Sequence, residues 1–179
     1  MKFKPSYTSS IAEDIMAERL IRAQAVEFLA DAPMRLKSGL ISPVYVDNRK
    51  LFSHPEAWRD IVETMASRVE EYDLEFDIVA GVEAAGSMDA AALAYRLGLP
   101  AIMVRQKAKT YGNHSRIEGG DVKGLRVLLL EDHISTGLSC LDAIRALREE
   151  GAQVTQVMSI TNYAIPETQR LFKQEGIDT

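Results

Sequence analysis

The sequence predicts an α/β fold, a parallel twisted sheet flanked by helices, and three observations carry that expectation. From Phe76 onward, apolar runs of strand length alternate with segments whose apolar residues recur at helical spacing, the pattern of βαβ units with right-handed crossovers. One run, Val127-Leu128-Leu129-Leu130, is apolar on both faces, as in a strand covered from both sides. Directly after it come two carboxylates, Glu131 and Asp132, and then the small-residue turn Ser135-Thr136-Gly137 with Ser139 close behind. Leu141, Ile144 and Leu147 follow at the spacing of one helix face. The order is strand, acidic pair, tight turn, helix. At 179 residues the chain is expected to be one domain: an N-terminal part over about residues 1–50 and a parallel α/β core over about 51–179.

Taken in order, the first helix is expected to begin after Ser9 or Ser10 and to run to about Ala30. Ile21, Ala25, Phe28 and Leu29 would share one face, with Asp31 to Pro33 as the stop. Residues 34–50 have β-rich ends around a Lys37-Ser38-Gly39 turn. Ser53-His54-Pro55-Glu56 reads as a capping box with proline in the first turn, opening a helix with Trp58, Ile61, Val62, Met65 and Val69 inward. A strand over 77–80 leads through a Gly81 to Gly86 turn into a helix from about Ser87 to Leu97, closed by Gly98. Ala101 to Val104 is the next strand, and a long polar segment runs from Arg105 to Gly124. After the motif strand and helix, Val154 to Thr161 is a strand, and Pro166 opens a last helix that Gly176 ends.

Composition narrows the function. A net charge of −5 offers no footprint for nucleic acid, so any phosphate must be held by local cations. The single cysteine, Cys140, excludes an intrachain disulfide and a cysteine-based zinc site, and it is expected to be a packed residue rather than a nucleophile. No apolar run reaches membrane-span length, and the opening MKFKPSYTSS lacks a signal-peptide core, so a cytoplasmic setting is expected.

The chemistry follows from the motif. A turn feeding a helix N-terminus presents unpaired N–H groups and the positive dipole end to an anion. Thr136 and Ser139 add hydroxyl donors, and Gly137 permits close approach of the backbone. Two carboxylates would repel a phosphate, so Glu131 and Asp132 are expected to take sugar hydroxyls or a hydrated Mg²⁺. No Gly-Lys-Ser/Thr follows, which excludes a Walker loop. Over residues 104–120 Arg105, Lys107, Lys109 and Arg116 are the cations, with glycines at 112, 119 and 120. Such a loop can close over a pyrophosphate, neutralise its charge and exclude water.

The motif resembles the diphosphoribose-binding signature of the type I phosphoribosyltransferases. The loop adds Arg105, Lys109, Tyr111, Gly112 and Ile117-Glu118-Gly119, and the N-terminal part adds Ser38, Gly39, Ser42, Pro43, Tyr45 and Asp47. With Asn162-Tyr163-Ala164-Ile165-Pro166, these make the chain resemble the orotate phosphoribosyltransferase family over roughly residues 20 to 175. The resemblance implies a type I phosphoribosyltransferase fold with a small N-terminal hood. It also implies transfer of phosphoribosyl from phosphoribosyl pyrophosphate to orotate, with Mg²⁺, in a homodimer whose loop completes a neighbour's site. Small-molecule substrates are implied, and neither nucleic acid nor membrane.

It further implies that Ser135, Thr136, Gly137, Leu138 and Ser139 hold the 5-phosphate. Glu131 and Asp132 would hold the ribose, and Arg105, Lys107 and Lys109 the pyrophosphate. Lys37 and Tyr45 would lie on the base side. Lys109, Asp132 and Glu131 are the catalytic candidates. No residue is expected to bind Mg²⁺ directly except Asp132; the metal would come on the substrate.

The chain departs from the family pattern at several points. Gln106 stands in place of a lysine, Glu131 keeps a charge on a longer arm, His133 replaces an apolar residue, and Ser87-Met88-Asp89-Ala90 lacks a proline. The family's arginine after the late strand is not seen near Asn162. Leu138 replaces a small residue and is expected to pack toward the protein against the first turn of the motif helix. These departures leave two alternatives open: a phosphoribosyltransferase for another base, or a regulatory module that binds phosphoribosyl pyrophosphate without turnover.

Overall fold

The structure, a computed structural model, describes residues 10–35, 39, 41–108 and 115–179. Its centre is a five-stranded sheet of order β7-β6-β5-β8-β9. The strands are β5 (Ile78–Val82), β6 (Ala101–Val104), β7 (Ile117–Glu118), β8 (Arg126–Ile134) and β9 (Gln153–Asn162). β6, β5, β8 and β9 run parallel, and β7 closes the β6 edge antiparallel. The polar segment after β6 therefore returns to the sheet: Ile117 pairs with Val104 before the chain reaches β8.

The apolar run of β8 is split between two cores, as strand alternation requires. Val127 and Leu129 pack with Cys140, Ile144, Leu147 and Phe172. Leu128 and Leu130 pack on the opposite face with Ile61, Met65 and Leu93. The first core is covered by α4 (Leu138–Glu149) and α5 (Pro166–Gln174), the second by α2 (Pro55–Glu71) and α3 (Ala85–Leu97). The acidic pair does not end the strand. β8 continues through it to Ile134 because β9 offers partners as far as Asn162, with His133 opposite Thr161.

The N-terminal part corrects the expected long helix. α1 spans only Ile11–Arg22, held at its start by a capping box between Ser10 and Glu13. The chain then turns at Gln24, which has φ +54°, and Val26–Phe28 form β1. β1 pairs antiparallel with β4 (Val44–Val46), and Phe28 is 76% exposed rather than on a buried helical face. A β-branched and an aromatic residue with a strand partner favour the ladder over the helical spacing. A second ladder joins β2 (Met34–Arg35) to β3 (Ile41–Ser42). Of the turn expected between them, Lys37 and Ser38 lie outside the described residues.

A 3₁₀ turn over Asn48–Ser53 connects β4 to α2. It also overturns the expected capping box. The Ser53 hydroxyl donates to the Lys50 carbonyl at 2.8 Å, inside that turn, and α2 begins from His54 with Pro55 at its first position and no side-chain cap.

Candidate active site

The site forms at the carboxyl end of β8, between β5 and β9. α3 reaches it backbone against backbone. A Cβ on Gly86 would lie 2.7 Å from the Leu130 carbonyl oxygen and 3.2 Å from the Glu131 Cα, so the helix start can press on the motif strand only as glycine.

The two carboxyls of the acidic pair stay close together but differ in burial, Glu131 being buried and Asp132 half-buried. Glu131 is buried, with one carboxyl oxygen taking a weak contact from the Cys140 thiol at 4.0 Å. Burial, with the Asp132 carboxyl beside it, pushes Glu131 up to about 9. Burial therefore favours the neutral form of Glu131, against the expectation that it keeps a charge on a longer arm. Cys140 itself is a buried free thiol, pushed up by burial, as its expected packing role requires.

A third carboxyl joins them from α3. Asp89 is fully buried; one oxygen accepts from the Trp58 indole N–H at 3.4 Å and the other has no partner among the described residues. Burial and, secondarily, the charge of Asp132 raise Asp89 to about 7, against an ordinary 3.8. Native Asp89 thus keeps a proton that the unfolded chain loses between those values, so stability falls as pH rises through that window. Asp89→Asn should abolish this contribution and gain up to roughly 2.5 kcal/mol at pH 8 relative to pH 5. Thermal unfolding at the two pH values checks it; an equal change in melting temperature in both proteins would contradict it.

Beyond Ile134 the turn is moulded by α5. The Thr168 hydroxyl donates to the Ser135 carbonyl at 3.0 Å. Gly137, at φ +74°, is the residue before α4, which begins without a side-chain cap and so leaves its first N–H groups to an anion. Ser135 and Thr136 are half-buried and Ser139 is exposed. Leu138 does not pack inward as expected: it is 62% exposed. Thr168 and Phe172 crowd the turn at the neighbouring Gly137. Leu138→Ala should therefore change affinity for phosphoribosyl pyrophosphate, the ligand the resemblance implies for this turn, by less than about threefold, because an anion there would meet backbone amides rather than this side chain. Calorimetric titration checks this; a tenfold gain, about 1.4 kcal/mol, would show the natural side chain to obstruct the site.

Leu138 instead lines a cavity of about 260 Å³ together with Ser139, Arg105, Gln106, Lys107 and Arg116. The start of the cationic segment and the motif turn, over 30 residues apart in sequence, thus share one wall. Arg116 joins them: it pairs with Asp142 of α4 at 2.6 Å and donates to the Arg105 carbonyl at 2.8 Å. Arg105 forms an ion pair with Glu118 at 2.9 Å. Gln106, in place of the expected lysine, braces the turn after β5: its backbone N–H and side-chain amide both donate to Glu83. Lys109 and Lys37 lie outside the described residues, and Tyr45 is half-buried in β4.

A family model described as a phosphoribosyl transferase domain matches residues 47–173. The orotate phosphoribosyltransferase of Coxiella burnetii is 45% identical over 163 residues, which cover 91% of this chain and 78% of that one. The chain belongs to the orotate phosphoribosyltransferase family. The crystal structure of orotate phosphoribosyltransferase from Aeropyrum pernix has a TM-score of 0.77 at 30% identity, covering 90% of this chain and 89% of that one. The Mycobacterium tuberculosis orotate phosphoribosyltransferase in complex with 5-phospho-α-D-ribosyl 1-diphosphate has a TM-score of 0.70 at 27% identity, covering 93% and 91%.

Orotate phosphoribosyltransferases are enzymes, and the expected fold class and family both hold for this chain. The sequence reading passed over three residues of the site. Asp89 carried no signal beyond breaking an apolar helix face. Asn48 and Arg49 stand inside the segment that bears the family resemblance, yet only the structure shows Arg49 within the field of Asp132.

Proposed function

We propose that this member of the orotate phosphoribosyltransferase family transfers phosphoribosyl from phosphoribosyl pyrophosphate to orotate, giving orotidine 5′-monophosphate and pyrophosphate for pyrimidine nucleotide synthesis. The observation that carries the reading is the shared cavity, where Arg105 and Lys107 face the turn at Leu138 and Ser139. In the reaction the C1–O bond to pyrophosphate breaks, its electron pair leaves with the pyrophosphate, and a C1–N bond forms to the base.

The turn Ser135, Thr136, Gly137, Leu138 and Ser139 holds the 5-phosphate on its N–H groups. Asp132 accepts hydrogen bonds from the ribose hydroxyls and faces the positive charge that develops at C1. Glu131, pushed up to about 9 by burial, adds less repulsion toward the phosphates than a solvated carboxylate would. Arg105, Lys107 and Lys109 take up charge on the departing pyrophosphate. Tyr45 and Lys37 lie on the base side.

Among the described residues no group of three acidic, histidine or cysteine side chains could hold a metal ion. In our reading Mg²⁺ arrives on the pyrophosphate, with Asp132 as the carboxylate able to add a ligand. When bound, the metal would neutralise pyrophosphate charge. We assign the chain one phosphoribosyltransferase domain over residues 1–179 and a homodimer in which the loop serves the neighbouring site. A cytoplasmic setting is supported by a lone, reduced cysteine, and no described helix is long and apolar enough to cross a membrane.

The test is pyrophosphate release with Mg²⁺ and phosphoribosyl pyrophosphate, supplied with orotate, with other nucleobases, or with no base. Release with orotate alone is the expected result. Release with another base would reassign the acceptor, and no release with any base beside tight binding would make the chain a sensor.

A further inference from the structure

A line of hydrogen bonds joins His133 to the backbone of Asp132 by way of the hood. The Asp132 carbonyl can only accept, so the atom of Asn48 that meets it at 2.5 Å is the amide nitrogen. The second proton of the same nitrogen goes to the Thr161 hydroxyl oxygen at 2.7 Å. Thr161, already an acceptor, has one proton left to give, and His133 Nδ1 lies 2.8 Å away. Donation there makes Nδ1 the acceptor and places the imidazole proton on Nε2. Nε2 is buried with no partner among the described residues, so Thr161 is the polar group that orients the ring. The same ring meets Tyr163 edge to face at 4.4 Å, and the Tyr163 hydroxyl donates to the Val44 carbonyl in β4 at 2.9 Å.

We infer that His133 is a positioning residue for the transfer reaction: through Thr161 it orients the Asn48 amide that grips the Asp132 peptide, and through Tyr163 it braces the hood against the motif strand. Without the imidazole acceptor the Thr161 hydroxyl is free to rotate, Asn48 loses its second anchor, and the Asp132 peptide loses a fixed donor. Asp132 then still binds ribose but in a broader range of orientations, a loss that falls on the transition state more than on the bound ground state. The inference rests on the ribose role of Asp132 proposed above.

The experiment compares steady-state kinetics of the full chain with those of His133→Phe, His133→Asn and Thr161→Val, with Asp132→Asn as control. Phenylalanine keeps a ring against Tyr163 and removes the acceptor; asparagine keeps a polar atom near the place of Nδ1 and removes the ring. In His133→Phe, kcat should fall about tenfold while KM for phosphoribosyl pyrophosphate stays within about twofold. His133→Asn should recover most of that loss. The double variant His133→Phe/Thr161→Val should be no worse than Thr161→Val alone, since both act on one chain of bonds. An unimpaired His133→Phe, additive losses in the double variant, or equal losses in the phenylalanine and asparagine variants would overturn the inference. If Asp132→Asn turns over normally, the ribose role fails and the inference with it; if that control is impaired and His133→Phe is not, the inference fails alone.

Discussion

Replacing Asp132 by asparagine should lower kcat/KM by about 100-fold or more with the fold unchanged. Asp132 is the half-buried carboxyl at the end of β8, whereas burial pushes Glu131 up to about 9. Asparagine retains the volume and an acceptor oxygen but removes the carboxylate that the proposed function places against C1, so the expected loss is of transition-state rather than ground-state stabilisation. The backbone bond from Asn48 to the Asp132 carbonyl is untouched by the substitution, which is why the strand should survive it. The measurement is turnover beside a melting curve. Near-normal turnover, or a collapse in stability that accounts for the loss, would remove Asp132 from its role.

Gly137→Ala should cost about 3 kcal/mol of stability, adding the strain of a left-handed alanine to overpacking. Gly137 holds φ +74°, and a Cβ there would lie 2.8 Å from Thr168 Cγ2 and 3.0 Å from Phe172 Cζ. Both neighbours are buried, and Phe172 belongs to the core beneath α4, so neither can swing into solvent. Whatever relief is found must come from α5 or from the turn itself, and moving the turn spoils the amides offered to the 5-phosphate. Urea unfolding should show the loss, and titration with phosphoribosyl pyrophosphate should show weakened binding. A destabilisation under about 1 kcal/mol would mean that α5 does not clamp the turn as described.

What the sequence revealed divides by the range of the interaction responsible. The buried run Val127 to Leu130, the strand Ala101–Val104 and the order of strand, acids, turn and helix are local patterns, and the structure keeps them. The first helix failed because Val26 to Phe28 satisfy helical spacing on paper but find a strand partner about 18 residues later. Glu131 could be recognised as a site residue, yet its upward shift comes from burial and the Asp132 carboxyl, with a smaller push from Asp89 of α3. Leu138 is exposed and faces the cavity wall shared with Arg105 and Lys107, about 30 residues upstream, a placement no local pattern announces. Asn48 and Thr161 stand 113 residues apart, so no spacing rule could have joined them. Asp89 became part of the site only because Gly86 lets α3 approach β8 at van der Waals distance.

The most direct test is a crystal structure of the chain with phosphoribosyl pyrophosphate and Mg²⁺. The account predicts the 5-phosphate on the backbone N–H groups between Thr136 and Ser139, the ribose hydroxyls on Asp132, and the pyrophosphate toward Arg105 and Lys107. A 5-phosphate seated anywhere but on that turn, or a ribose that leaves Asp132 in solvent, would contradict it.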